Sequence, residues 1–100
     1  MAGIVDINGI EFSAYSDATA SSTRDICFSL RTKDRSEIKK LLSNFNAEDS
    51  VTVKLYADLA KTDLVATSTG EITNLQVRLT DRSNKPTVTF EVLGNTTLSL

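Results

Sequence analysis

The chain contains no histidine and no tryptophan among its 100 residues, and it has one cysteine, one proline and four glycines. Histidine is the commonest general base and the commonest transition-metal ligand, so its absence excludes Ser-His and Cys-His nucleophiles and histidine-based zinc sites. A single cysteine cannot form an intramolecular disulfide, so the core or partner subunits must supply the stability. Without tryptophan, a carbohydrate-stacking platform is disfavoured.

The chain also lacks a large excess of charge of either sign, and it lacks long apolar runs. Charged residues make up 24% of the chain, yet the net charge is only −2. Nucleic-acid binders usually carry a basic excess, so this balance argues against nucleic acid as a partner. No apolar run approaches the ~20 residues of a membrane span, and the first residues lack the features of a signal peptide. We expect one domain, made in the cytosol and remaining soluble, with no membrane partner.

A hairpin is predicted near the N-terminus, where Asn8-Gly9 lies between two isoleucines. This dipeptide is a strong hairpin signal because a tight turn requires positive φ at both central residues. The predicted pairs are Val5 with Phe12, Asp6 with Glu11, and Ile7 with Ile10. The middle pair places two carboxylates together, which destabilises the hairpin slightly unless something lies between them.

A loop, a strand and one helix are predicted next. Residues 16–23 are small and polar without periodicity, so we expect an exposed, mobile loop. Residues 24–32 alternate like a strand. Residues 34–45 then have apolar side chains at helical spacing, at Ile38, Leu41, Leu42 and Phe45. Asp34 is the predicted N-cap, with Glu37 completing a capping box.

The second half predicts a strand over 51–57, another beginning at 64–69, and a final hairpin. A change of parity between Ile72 and Leu75 predicts a corner or bulge before that hairpin. Alternation in the hairpin predicts the pairs Leu75 with Val92, Val77 with Phe90, and Leu79 with Val88 on one apolar face. Residues 95–100 alternate weakly and carry neither charge nor proline. We expect an extended C-terminal arm there that frays or pairs with a neighbouring subunit.

Each candidate for chemistry also has a plain structural interpretation. Free cysteines behave as small hydrophobes, so Cys27 is interpreted as a structural thiol. Two carboxylate pairs, Asp6 with Glu11 and Asp58 with Asp63, lack the loop spacing of a calcium motif and are interpreted as solvated surface groups. No glycine-rich phosphate motif is present. We therefore expect a non-enzymatic protein with no cofactor, no metal and no small-molecule substrate.

A basic cluster surrounds the helix start and consists of Arg31, Lys33, Arg35, Lys39 and Lys40. Acidic residues dilute it and no aromatic residue interleaves it for base stacking, so it is interpreted as a solvated helix face. Tyr56 lies on the outward parity of its strand, where it favours a contact with protein or a small sugar. The candidate interface residues are Arg35, Lys39, Tyr56, Asn95, Leu98 and Leu100.

These elements predict an α+β, mostly β fold over residues 1–100. The expected architecture is an antiparallel sandwich or partly open barrel of six or seven strands, closed on one side by the amphipathic helix. The layout, from the Ile-Asn-Gly-Ile hairpin through the helix Glu-Ile-Lys-Lys-Leu-Leu to the final hairpin, resembles small virion proteins of tailed bacteriophages. Capsid decoration, head-tail joining and tail proteins are all of this kind.

The resemblance implies a multi-copy structural protein of the virion, assembled in the host cytoplasm by packing against itself or other virion proteins. It assigns no site residues. Two other classes remain open from the residues alone: a small monomeric inhibitor or adaptor that binds a host or viral enzyme, and a sugar-binding module. The inhibitor would use the basic helix start or residues 16–23. The mass of the protein in solution discriminates the assembling subunit from the inhibitor.

Overall fold

The computed structural model describes residues 3–13, 18–23, 25–79 and 86–99, which form a mostly β fold with one helix. The strands are β1 (Ile4–Ile7), β2 (Ile10–Phe12), β3 (Ala18–Ala20), β4 (Ile26–Thr32), β5 (Ser50–Tyr56), β6 (Leu64–Leu79) and β7 (Pro86–Leu98); the helix is α1 (Arg35–Asn44). All seven strands belong to one antiparallel sheet in the order β2-β1-β5-β6-β7-β4-β3, which does not close. The predicted fold class and strand number are confirmed.

The first hairpin has the predicted register. Val5 pairs with Phe12, Asp6 with Glu11, and Ile7 with Ile10. Both turn residues have positive φ, 52° at Asn8 and 88° at Gly9, as a tight hairpin turn requires. The Asn8 side chain also accepts a hydrogen bond from the Thr52 N–H at 2.9 Å, so the turn is held against β5.

The helix begins as predicted, with the Asp34 carboxylate accepting a hydrogen bond from the Ser36 N–H. The predicted capping box is wrong. Glu37 is buried, and its carboxylate accepts hydrogen bonds from the Ser13 N–H and hydroxyl at the end of β2. The apolar stripe is narrower than predicted, because Leu42 is 49% exposed.

Part of the predicted loop over residues 16–23 is a strand. The three residues of β3 pair with Phe28 to Leu30 of β4, so the prediction of a loop is wrong at Ala18–Ala20. The segment consists of small side chains without an alternating apolar pattern, and its pairing depends on β4 beside it. Tertiary pairing of this kind leaves little signal in local sequence.

The long hairpin of β6 and β7 has the predicted faces but different partners. Val77 pairs with Val88 and Leu75 with Phe90, a slip of two residues from the predicted register. A two-residue slip keeps every side chain on its own face, so the alternation of the sequence could not distinguish the two registers. Leu79 consequently lies opposite Pro86 and is 83% exposed. The predicted bulge is confirmed, between Ile72 and Asn74.

The backbones of β6 and β7 approach most closely where Gly70 pairs with Gly94. A Cβ atom at Gly70 would lie 2.0 Å from the Leu93 carbonyl oxygen, and one at Gly94 would lie 2.1 Å from the Thr69 carbonyl oxygen. No other residue type fits at either position without moving the strand. Gly70 therefore lies inside the longest strand of the sheet.

One core joins both halves of the sheet to the helix. Four phenylalanines from β2, β4, α1's C-terminal end and β7 form a chain of ring contacts with centroids 6.0–6.4 Å apart. They are Phe12, Phe45, Phe90 and Phe28. Since Phe12 comes from one end of the strand order and Phe28 from the other half, the sheet must curve around this core and α1. No helix in the described ranges has the length and apolarity needed to cross a membrane.

The C-terminal arm predicted over 95–100 is corrected by the sheet pairing. Residues Asn95 to Leu98 continue β7 and pair with Thr69 to Ala66 of β6 in the same chain. The Thr96 hydroxyl donates to the Cys27 carbonyl at 2.8 Å and lies 2.6 Å from the buried Ser68 hydroxyl. This segment is therefore held in the chain's own sheet by β6 and, through the Thr96 hydroxyl, by β4; Leu100 lies outside the described residues.

Replacing Phe90 by alanine is expected to lower the free energy of unfolding by about 3–5 kcal/mol, because the ring is fully buried against two others. Replacing its neighbour Thr89, on the opposite face, is expected to lower it by less than about 1 kcal/mol. Urea unfolding of both variants measures the difference. Equal losses would contradict the assignment of the buried face.

Replacing Thr96 by valine is expected to destabilise the protein by about 1–2 kcal/mol, because the Cys27 carbonyl then loses its closest hydroxyl donor. Thr97→Val is the matched control, since Thr97 is exposed on the same strand. Thermal unfolding followed by circular dichroism provides the measurement. A stability for Thr96→Val no lower than that of Thr97→Val would show that the end of β7 is not integrated as described.

Candidate interaction surfaces

The predicted interface residues lie at two opposite ends of the sheet. Arg35 and Lys39 are exposed on α1, which follows the end of β4, where Thr32 pairs with Val88. Leu98 lies ten residues further along β7, a distance of roughly 33 Å at strand rise. Tyr56 lies at the Leu98 end, because β5 ends there beside Leu64 of β6. The structure therefore does not bring the predicted residues into one surface.

At its own end of the sheet, Leu98 is 50% exposed. It lines a small depression of about 220 Å³ with Ala18 and Ala20 of β3, Leu55 of β5, and Val65 and Ala66 of β6. Asn95 is exposed nearby on the same strand, and the predicted role of Leu100 lies outside the described residues.

A lysine occupies the position between the two carboxylates of the first hairpin. The Lys61 ammonium lies 3.0 Å from the Asp6 carboxylate and 3.0 Å from the Glu11 carboxylate, and it lies 5.8 Å from the centre of the Tyr56 ring. Hydrogen bonds to Glu11 and then Asp6 raise the pKa of Lys61 above its ordinary value. The pair considered for calcium is thus bridged by the protein's own cation, and Tyr56 is partly covered by it.

The second carboxylate pair, Asp58 and Asp63, lies in the turn between β5 and β6. The Asp58 carboxylate accepts hydrogen bonds from the hydroxyl and N–H of Thr62 and from the Asp63 N–H. The Thr62 hydroxyl is the main cause of a lowered pKa for Asp58. Asp58 therefore closes the turn between β5 and β6 in the manner of an Asx turn. The calcium hypothesis stays disfavoured at both pairs, because the carboxylate oxygens of Asp6, Glu11 and Asp58 are used within the fold.

The cysteine is also used internally. Cys27 is fully buried within the core cluster, next to a shift of register between Ile26 and Phe28 of β4. The shift allows both Cys27 and Phe28 to enter the core. A thiol without solvent access is poorly placed to attack a substrate, which supports the structural interpretation.

The basic cluster is divided by the fold. Arg31, Lys33, Arg35 and Lys39 are exposed. Lys40, in contrast, lies 4.8 Å from the Phe12 ring centre and 3.3 Å from the buried Glu37 carboxylate, and it donates to the Glu11 carbonyl. It belongs to the contact between α1 and β2. Arg31 instead faces a polar depression of about 310 Å³ over β4, β7 and β6, which sequence reasoning missed because its lining comes from three distant segments: Asn74, Gln76, Arg78, Thr87, Thr89 and Glu91.

The edges of the sheet differ in their protection. Unpaired edge strands favour pairing with other chains unless they are covered or charged. The edge of β2 is covered, because Glu37 of α1 accepts from the Ser13 N–H and Lys40 donates to the Glu11 carbonyl. β3, at the other edge, is three residues long and uncharged.

A third length of edge lies within β6. The ladder between β5 and β6 ends at Glu71. Two further backbone hydrogen bonds follow, one from the Glu48 N–H to the Ile72 carbonyl and one from the Ile72 N–H to the Asp49 carbonyl. From Asn74 to Leu79, the only ladder among the described residues is the one with β7. We call residues Asn74 to Leu79 the distal edge. Its apolar face carries Leu75, Val77 and Leu79, of which Leu79 is the most exposed large apolar side chain described.

Comparisons of the chain with protein-family models, curated proteins and solved structures find no match.

Lys61→Met is expected to lower the urea midpoint at pH 7, because Asp6 and Glu11 then face each other without a cation. A folded-state pKa raised above the unfolded value gives stability that is present at lower pH and is lost as pH rises through the folded value. The difference from the native protein should therefore shrink above the ordinary lysine pKa of 10.5. Lys33→Met, at an exposed lysine, is the control. A pH-independent difference would contradict the bridge.

Proposed function

We propose that this protein is a non-enzymatic structural subunit that assembles in many copies through its sheet edges, as a component of a tailed-phage virion assembled in the host cytoplasm. The observation that carries the proposal is the distal edge of β6, which has a ladder on one side only among the described residues and carries the 83% exposed side chain of Leu79. A protein that acts alone would be at risk of aggregation from such a segment. A subunit that assembles uses such a segment as its contact with another copy.

The distribution of polar groups supports the same proposal. Side chains that suggested chemistry in the sequence are engaged inside the fold: Cys27 in the core, Asp6 and Glu11 with Lys61, and Asp58 in its own turn. Two charged residues of the helix, Glu37 and Lys40, form hydrogen bonds that cover the edge of β2. A protected β2 edge, together with a distal edge that has no second ladder in the described part of the chain, is the pattern expected of a directed contact.

The second candidate function is a monomeric inhibitor or adaptor. It is favoured by the exposed basic residues Arg31, Lys33, Arg35 and Lys39, which would contact an acidic surface of a partner. Such a protein needs no association with itself. The two candidates therefore predict different masses at high concentration.

Sedimentation of the purified chain over a hundredfold range of concentration is the test. We expect mass to rise with concentration, because a short edge contact associates weakly and is visible only when copies are abundant. Leu79→Thr should reduce this association. Leu59→Thr, which changes a leucine 65% exposed in the loop after β5, should not. A monomer at every concentration would contradict the proposal and favour the inhibitor.

A further inference from the structure

We infer that the distal edge of β6 pairs antiparallel with the same segment of a second copy, around a two-fold axis at Val77. This inference rests on the proposed function and names its contact. It replaces the C-terminal segment that the sequence had suggested, because the Thr96 hydroxyl of that segment is already bonded to the Cys27 carbonyl of β4 on the side away from β6. The occupant is a second copy because the apolar side chains of the segment match one another when the segment is paired antiparallel with itself, and its one charged residue, Arg78, then meets no like charge.

The apolar face determines the register. With Val77 opposite Val77 of the second copy, Leu75 lies opposite Leu79, so all three apolar side chains of each copy meet apolar partners. Moving the axis to Gln76 would place Leu79 opposite Thr73 and leave it without such a partner. Side chains opposite each other on one face of an antiparallel pair are about 5 Å apart and interact directly. The Val77 register therefore gives the 83% exposed Leu79 of each copy an apolar partner.

The polar face is compatible with this register. Gln76 and Arg78 are both exposed on the side opposite the apolar stripe, and the axis at Val77 places Gln76 of one copy opposite Arg78 of the other. An amide can accept a hydrogen bond from a guanidinium group. No like charges lie directly opposite each other, which would destabilise a strand pair. A two-fold contact of this kind is closed, with each residue of the pair used twice.

The pairing would extend the sheet across the two copies. On the far side of the distal edge, β7 pairs with β6 and β4 pairs with β7. The two copies would therefore share a continuous arrangement β4-β7-β6-β6-β7-β4. The segment is short, so the contact alone gives a weak dimer, and stable particles need further contacts between dimers.

A matched pair of charge variants tests the register. Gln76→Glu places a carboxylate opposite Arg78 of the other copy, twice per dimer, and should tighten association by roughly three- to tenfold. Gln76→Lys places a like charge there and should weaken association by a similar factor. Thr69→Glu and Thr69→Lys are the controls, because Thr69 is exposed on β6 where β5 and β7 already occupy both sides. These should leave association unchanged. Sedimentation equilibrium measures all four.

A disulfide tests the axis directly. In Val77→Cys, the introduced thiols of two copies face each other across the axis, whereas the native Cys27 is fully buried. Mild oxidation should give a covalent dimer with Val77→Cys and not with Thr69→Cys. If the native protein associates but Val77→Cys forms no selective dimer and the Gln76 variants have no opposite effects, the inference is overturned while the proposed assembly stands. If the native protein remains a monomer throughout, both are overturned.

Discussion

The close contact between Gly70 and Gly94 is the constraint on which the rest of this structure depends. It allows the two longest strands to run beside each other from Ala66 opposite Leu98 to Leu79 opposite Pro86. β5 pairs with residues 64–71 of β6, and β4 pairs with residues 88–93 of β7. The two neighbouring strands therefore lie along opposite ends of the β6–β7 hairpin. This offset leaves the distal edge of β6 without a ladder on one side in the described structure.

The sequence was sufficient to predict the parts of the fold whose signal is local. The Asn8-Gly9 turn specified its hairpin and register, because positive φ at two successive positions has few alternatives. Helical spacing and Asp34 predicted α1 to within one residue at either end. The parity change before Leu75 predicted the bulge.

The remaining features depend on contacts between distant segments. A slip of two residues in the long hairpin leaves the alternation unchanged, so contacts outside the alternation, such as the close Gly70–Gly94 pairing, must decide the register. β3 forms by pairing with β4 and therefore needs no apolar pattern of its own. Glu37 does not form the capping box because its carboxylate accepts hydrogen bonds from the N–H and hydroxyl of Ser13. The candidate surface was missed for the same reason. Residues 95–98 look unguarded in sequence but are bonded to β6 and, through the Thr96 hydroxyl, to β4. The distal edge has the sequence of an ordinary strand.

Residue-resolved amide hydrogen exchange, compared at low and high protein concentration, tests the central claim that the distal edge is a contact between copies. At low concentration, alternate amides between Leu75 and Leu79 should exchange quickly, while amides from Ala66 to Glu71, with strands on both sides, should exchange slowly. At high concentration the distal amides should become protected and the others should not change. Distal amides whose exchange is the same at both concentrations, in a sample whose mass rises, would contradict the account.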